Sequence, residues 1–208
     1  MDSVRRLVRR LKQSTNPTHV AVYHRSDVQD GKTHHYFRFV LGQEGAFQTD
    51  VRLNEFTGQR LRRIHVEAIP DAFVESVQQY VRQRAPVAMI GEDAFHRYLG
   101  HVSLEDQKGI AETRSVYPRS EHKDELALRF GKQTPGWGAH LESLCIRQLE
   151  GKGVTHVKSG FYPSDPRRDV LEKAQLTYDT AFPIREWYTK LEAYFQKKLA
   201  EHRQKSVH

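Results

Sequence analysis

The sequence predicts an α/β (α+β) protein in which an N-terminal antiparallel meander precedes a C-terminal β-α-β core. The first observation is a series of four runs rich in Val, Ile, Phe, Tyr and Thr, joined by short links that contain glycine. The second is the pattern after residue 125, where a short apolar run, a helical periodicity and another short apolar run follow each other. This succession is typical of two parallel strands connected by a helix.

The composition is that of a globular protein. The chain has 208 residues, of which 38% are hydrophobic and 28% charged, enough for one domain or two small ones. No apolar run reaches the length of about 18 residues that spans a membrane. Because there is no signal-peptide pattern and Cys145 is the single cysteine, we expect a cytoplasmic protein without an internal disulfide.

The first half supplies the elements of the predicted sheet. A short amphipathic helix is expected at 3–13, and a helix beginning at Pro70 is expected to bury Phe73 and Val77. We place a domain boundary between residues 85 and 86, giving regions 1–85 and 86–208. The remaining predictions for this half are strands at 19–25, 34–41, 46–53 and 60–69, a buried segment at 87–90, a helix at 92–99, a loop at 100–110 and a strand at 112–118.

The second half is predicted to contain the β-α-β core. Leu141, Leu144, Cys145 and Leu149 recur at helical spacing, so Cys145 is expected to be a buried structural thiol. The predicted elements are a strand at 125–130, a helix at 138–150, a strand at 154–157, a helix at 167–175 and a final helix at 184–202.

The most informative segment is Gln133-Thr134-Pro135-Gly136-Trp137-Gly138-Ala139, between the predicted strand and helix. Glycine allows a ligand to approach the main chain closely. The first amides of a helix lack partners within the helix, and the helix dipole favours negative charge there. The segment therefore predicts a phosphate-binding turn.

This turn resembles the GNAT acyltransferase superfamily, whose pattern is Gln or Arg, two residues, Gly, any residue, then Gly or Ala. The likeness covers residues 125–176 and includes the turn at 151–153. It implies that acetyl-CoA, or another acyl-CoA, is a substrate, with its pyrophosphate on the amides of the turn. The residues that the resemblance assigns to acyl-CoA binding are Gln133, Gly136, Trp137, Gly138, Ala139, Ser164, Asp165 and Arg168.

The resemblance also implies an N-acetyltransferase reaction, with an amine on a small molecule or a protein as acceptor. Direct attack of an amine on a thioester needs a base for the ammonium and an acid for the thiolate. Glu125 is the predicted base, with Glu121 and Asp124 as the neighbouring alternatives. Leu171 occupies the place of the family's tyrosine, so Tyr178 is the predicted acid, and Pro135 has no N–H to offer to phosphate.

Two other functions remain open. A formal charge of +7 favours anionic partners, so a basic nucleic-acid-binding or replication-associated protein is one alternative. A GNAT-like module without catalysis is the other, because Leu171 departs from the family pattern. We expect no metal site, since His34-His35, His96 and His101 do not have the spacing of zinc ligands.

Overall fold

The computed structural model describes residues 17–52, 59–75, 77, 97–118, 137–159 and 167–205. These residues contain strands, helices and one 3-10 turn, Glu44–Ala46, which confirms the predicted mixed class. The strands are β1 His19–Gln29, β2 Lys32–Gly42, β3 Asp50–Arg52, β4 Arg60–Ala68, β5 Arg97–Gln107, β6 Ile110–Pro118, β7 His156–Ser159 and β8 Ala181–Pro183. The helices are α1 Trp137–Arg147, α2 Arg167–Lys173 and α3 Ile184–Lys205; residues 71–75 and 77 are also helical.

The strands form one eight-stranded sheet in the order β3-β4-β1-β2-β5-β6-β7-β8. The chain divides into two compact units, Met1–Tyr23 with Arg38–Leu99, and His24–Phe37 with Gly100–His208. The predicted boundary between residues 85 and 86 lies outside the described residues, as does the predicted helix at 3–13.

The four predicted N-terminal strands are present, with longer bounds for the first two and a shorter third strand, Asp50–Arg52, since Ala46 belongs to the 3-10 turn. Asp30 and Gly31 connect β1 to β2 with φ of 51° and 73°, the positive values of a type I′ hairpin turn. The simple meander order is wrong, because β4 lies beside β1 and β3 pairs antiparallel with β4. The reason is that β5 lies along the free edge of β2, so the β3–β4 hairpin extends the sheet from β1.

The first unit has a core around β1 and β4. Tyr23 is fully buried, and its hydroxyl donates a hydrogen bond of 2.8 Å to the carbonyl of Gln48. Burial raises the pKa of Tyr23 to about 12, although Arg63 and Arg38 act in the opposite direction. Phe73 and Val77 are buried, which confirms the predicted apolar face of the helix after Pro70.

The predicted helix at 92–99, where the structure describes it, and the predicted loop over residues 100–107 are wrong, because Arg97–Gln107 is strand β5. Val102 and Leu104 are buried while Ser103 between them is half-buried, the alternation of a strand with one covered face. A turn at Lys108-Gly109, with φ of 55° and 81°, leads into β6. The predicted strand at 112–118 is confirmed and begins earlier, at Ile110.

Strand β7 pairs in parallel with β6, from Ile110 opposite His156 to Thr113 opposite Ser159. Helix α1 lies between these two strands in the sequence, as expected of a β-α-β unit. The predicted strand at 125–130 lies outside the described residues, and the returning strand begins at residue 156 rather than 154.

Helices α1 and α3 supply much of the core of the second unit. Cys145 is fully buried, which confirms the structural thiol, and burial raises its pKa well above the ordinary value. The apolar face of α3 contains Ile184, Trp187, Leu191 and Phe195, all buried, as the periodicity predicts.

Candidate functional site

Three of the predicted acyl-CoA-binding residues form the first turn of α1. Trp137 is the first residue of this helix, Gly138 is half-buried and Ala139 is fully buried. Their place at the beginning of the helix follows the sequence prediction, and the amides of a first turn have no intrahelical acceptor. The other predicted residues of the turn and the base lie outside the described residues: Gln133, Gly136, Ser164, Asp165 and Glu125.

The N-terminal half of α1 packs near the carboxyl end of β7, where the described pairing of β6 with β7 ends. Glu142, in the second turn of α1, contacts Thr113, the last β6 residue in the described pairing with β7. The other end of α1 leads to residue 150, which forms a bridge to Val154 just before β7. In open α/β sheets, ligands bind outside the carboxyl ends of parallel strands, close to helix N-termini.

A buried polar cluster lies where the described pairing of β6 with β7 ends; it is made of Thr113, Glu142, Arg167, Ser159 and Trp187. The Thr113 hydroxyl donates to Glu142 Oε1 over 2.5 Å, and Arg167 Nη1 lies 3.1 Å from Glu142 Oε2. The side chains of Glu142 and Arg167 are 0% and 6% exposed. The Glu142–Arg167 contact satisfies the distance of an ion pair rather than the angles of an aligned hydrogen bond.

The second half of the polar cluster joins β7 to α3. Trp187 Nε1 donates to Ser159 Oγ over 3.2 Å, and both side chains are buried. Thr113 lies opposite Ser159 in the last pair of the described parallel register. The hydroxyl of Thr113 is hydrogen-bonded to α1, and the hydroxyl of Ser159 is hydrogen-bonded to α3. A charged pair in such surroundings is costly unless its partners compensate for the lost hydration. The polar cluster therefore fixes α1, α2 and α3 relative to Thr113 of β6 and Ser159 of β7.

The structure shows the surroundings of Arg168, a predicted site residue, and of Leu171, the residue that departs from the family pattern. Arg168 is exposed, and its Nε donates to Glu172 Oε1 over 2.7 Å, an i,i+4 ion pair within α2. Leu171 is fully buried, so the position of the family's tyrosine faces the core. Because Arg167 rather than Arg168 is the buried arginine of this pair, the polar cluster was not evident from the sequence.

Tyr178, the predicted acid, is about half exposed and precedes β8. The neighbouring residue Asp179 accepts a contact of 3.1 Å from Lys158 Nζ. The pKa of Lys158 is raised, first by its hydrogen bond with Asp179 and then by the charge of Glu112, with a smaller effect from Tyr178.

A charged row, consisting of Lys32, Glu105, Glu112 and Lys158, crosses the sheet of the second unit. Glu105 lies opposite Glu112, which lies opposite Lys158, and Lys32 Nζ is 3.3 Å from Glu105 Oε2. Thr113 faces α1, so its neighbour Glu112 points to the other face of the sheet. Sequence reasoning missed this row because β5 was predicted as helix and loop; period-two alternation along 101–106 is the pattern that identifies the strand.

The described residues contain no group of three or more His, Cys, Asp or Glu side chains arranged to hold a metal ion. Within that same part of the chain, no helix has the length and apolar character needed to cross a membrane. No protein-family model, curated protein or solved structure matches this chain.

Proposed function

We propose that this protein is an acyl-CoA-dependent N-acyltransferase of the GNAT type, acting in the cytoplasm on an amine of a small molecule or a protein. The observation that carries the proposal is the β6-α1-β7 unit, with parallel strands and an N-terminal half of α1 that packs where their described pairing ends. This is the local arrangement that the glycine turn requires if it is to bind pyrophosphate.

The anionic part of the acyl-CoA is assigned to the beginning of α1. The amides of Trp137, Gly138 and Ala139 have no intrahelical acceptors and lie at the positive end of the helix dipole. Gln133 and Gly136 extend this turn, while Ser164 and Asp165 precede α2 and are assigned to the pantetheine arm. Arg168 is assigned to a phosphate of the acyl-CoA, for which it must leave its ion pair with Glu172. Because that ion pair is exposed, breaking it costs little free energy.

The charged row is not assigned to the acceptor, because Glu112 lies on the face of the sheet opposite α1 and the two carboxylates of the row are balanced by its two lysines. In the reaction, the amine nitrogen forms a bond to the acyl carbon, and the carbon–sulfur bond breaks. Glu125 is assigned as the base that takes the ammonium proton, and Tyr178 as the acid that protonates the thiolate, because Leu171 is enclosed in the core.

Thermal unfolding with acetyl-CoA tests the binding half of the proposal. A ligand at about 100 times its Kd stabilises the folded state by about 2.7 kcal/mol, which raises the Tm of a chain of this size by about 5–11 °C. Gly138→Val should remove this shift by blocking approach to the first turn. Gly45→Val, where no atom lies within 4 Å of the added Cβ, is the matched control. A well-folded protein that shows no shift at millimolar acetyl-CoA would refute the proposal.

Turnover is tested separately, by release of free CoA in the presence of a panel of primary amines. Release that depends on the amine and decreases in Tyr178→Phe supports catalysis. A thermal shift without CoA release from any amine would instead identify a GNAT-like module without catalysis.

Nucleic-acid binding is the second candidate, favoured by two exposed arginines of β4. Arg60 and Arg62 are exposed and form no ion pair with the residues that the structure describes. Binding of a labelled oligonucleotide should then weaken steeply with salt, and Arg60→Gln with Arg62→Gln should reduce the slope. Absence of binding at low salt would exclude this function.

A further inference from the structure

Two histidines on neighbouring strands form a direct imidazole–imidazole contact in the second unit. His24 Nε2, on β1, lies 3.1 Å from His35 Nδ1, on β2. The ring centres are 5.3 Å apart and the ring planes differ by 20°. Since the centres are farther apart than the nitrogens by roughly one ring width, the rings meet edge to edge. The contact is therefore a hydrogen bond between ring nitrogens.

The rest of the environment encloses this pair. The ring of Phe37 stacks on that of His24, with centres 4.4 Å apart. His35 is 6% exposed, and its second nitrogen, Nε2, is buried without a hydrogen-bond partner. Water therefore has little access to His35, whereas His24 is half-buried, and a charge placed on the pair loses part of its hydration.

Only one of the two nitrogens in this contact, His24 Nε2 or His35 Nδ1, can carry a hydrogen while the hydrogen bond is kept. With both rings neutral, either His24 Nε2–H donates to His35 Nδ1 or the reverse. With both rings protonated, two N–H groups point at each other and two positive charges lie within hydrogen-bond distance. Full protonation therefore replaces this side-chain hydrogen bond with repulsion between two strands that are also hydrogen-bonded as neighbours in the sheet.

The surrounding charges increase this sensitivity to protons. Lys152, in the turn after α1, lowers the pKa of both histidines, and His34 acts in the same direction on His35. Asp106 of β5 raises the pKa of His35, but burial, the largest influence, lowers it. Burial followed by the charge of His35 lowers the pKa of His24 to about 4.

A second set of contacts ties the same hairpin to β5. Lys32 Nζ is 3.3 Å and His34 Nδ1 3.8 Å from the two carboxylate oxygens of Glu105. These partners lie on the hairpin of residues 24–37, which belongs to the second unit. Two sets of contacts thus hold the hairpin: the uncharged His24–His35 pair and the ionised carboxylate of Glu105.

We propose that His24 and His35 form an acid-sensitive latch, which keeps the hairpin of residues 24–37 closed at neutral pH and releases it when the pair is protonated. The sign follows from the folded-state pKa of His24, which is lower than the ordinary value of 6.5. Its stabilising contribution is complete above pH 6.5 and is lost as the pH falls towards 4. The released element is the hairpin rather than the whole unit, because the core of α1 and α3 contains neither histidine.

Amide hydrogen exchange of the full chain, followed by mass spectrometry or NMR between pH 7 and 4.5, tests the latch. After correction for intrinsic exchange, opening of residues 24–37 should increase about tenfold per pH unit for each proton taken up. Amides of α3 should remain protected over the same range, since their opening takes up no proton from this pair.

The matched variant is His24→Gln with His35→Asn. The Gln amide replaces Nε2 and the Asn amide replaces Nδ1, so a hydrogen bond is retained without a titratable ring. This variant should show a hairpin opening that no longer depends on the two histidine protons. His65→Gln, a change at a half-buried histidine paired with Glu67 over 3.0 Å in the first unit, should behave like the original chain.

Three outcomes would overturn the latch: hairpin opening that is independent of pH in the original chain, an unchanged pH dependence in the double variant, or simultaneous loss of protection in α3. If the double variant fails to fold, NMR titration of the two imidazole rings in the original chain decides. A latch requires both rings to titrate below pH 6.5, over the same pH range in which the hairpin amides lose protection.

Discussion

Replacing Glu142 with leucine removes the carboxylate at the centre of the polar cluster while filling a similar volume. Arg167, 6% exposed, then keeps its charge without the carboxylate 3.1 Å away, and the Thr113 hydroxyl loses its 2.5 Å acceptor. Breaking a buried ion pair from one side typically costs 3–5 kcal/mol. Arg167 has further interactions, so we expect the lower end, about 3 kcal/mol. That corresponds to a Tm lower by about 6–12 °C.

The double variant distinguishes a buried ion pair from simple loss of packing. Arg167→Met leaves Glu142 as the uncompensated charge, whereas Glu142→Leu with Arg167→Met leaves neither charge. We therefore expect the double variant to be more stable than the sum of the single effects by about 2 kcal/mol or more. Urea unfolding followed by far-UV circular dichroism measures all four free energies of unfolding.

Arg168→Met is the matched control for this cycle. Arg168 is the next residue, but its ion pair with Glu172 is exposed, so its loss should change the free energy of unfolding by less than about 1 kcal/mol. Additive single effects, or a Glu142→Leu cost equal to that of the control, would show that the Glu142–Arg167 contact does not stabilise the unit.

The remaining predictions concern backbone geometry and the second half of the polar cluster. Gly109→Ala should cost about 2–3 kcal/mol, because φ is 81° and the new Cβ lies 3.0 Å from a backbone oxygen; Gly31→Ala, with φ of 73° and no atom within 4 Å, should cost only about 1 kcal/mol. Equal Tm losses would contradict the steric part. Trp187→Phe should cost about 2 kcal/mol, since the buried Ser159 hydroxyl loses its donor. A Trp187→Phe protein with unchanged stability to urea would refute that reasoning.

Local patterns predicted most of the helices and several strands. The periodicity of Trp187, Leu191 and Phe195 identified α3, and the Asp30-Gly31 dipeptide marked the β1–β2 turn. In these segments the local preference and the tertiary environment agree, so the pattern is sufficient. Where the two differ, as at Arg97–Gln107, the helical interpretation was wrong because the sheet imposed a period of two.

Long-range contacts account for what the sequence did not predict. Glu142 and Arg167 come from two helices, and His24 and His35 from two strands, so neither pair has a characteristic spacing. The order of the first four strands likewise depends on which sheet edge is available, a property of the assembled sheet.

Because Cys145 is buried, the reactivity of its thiol reports the unfolding of the chain. This thiol is the single cysteine and is fully buried on α1. A thiol reagent such as a maleimide can therefore react only in molecules whose second unit has opened, and each such event labels the chain once and permanently. The rate of labelling in the native buffer gives the opening frequency of this unit without denaturant and without an engineered probe.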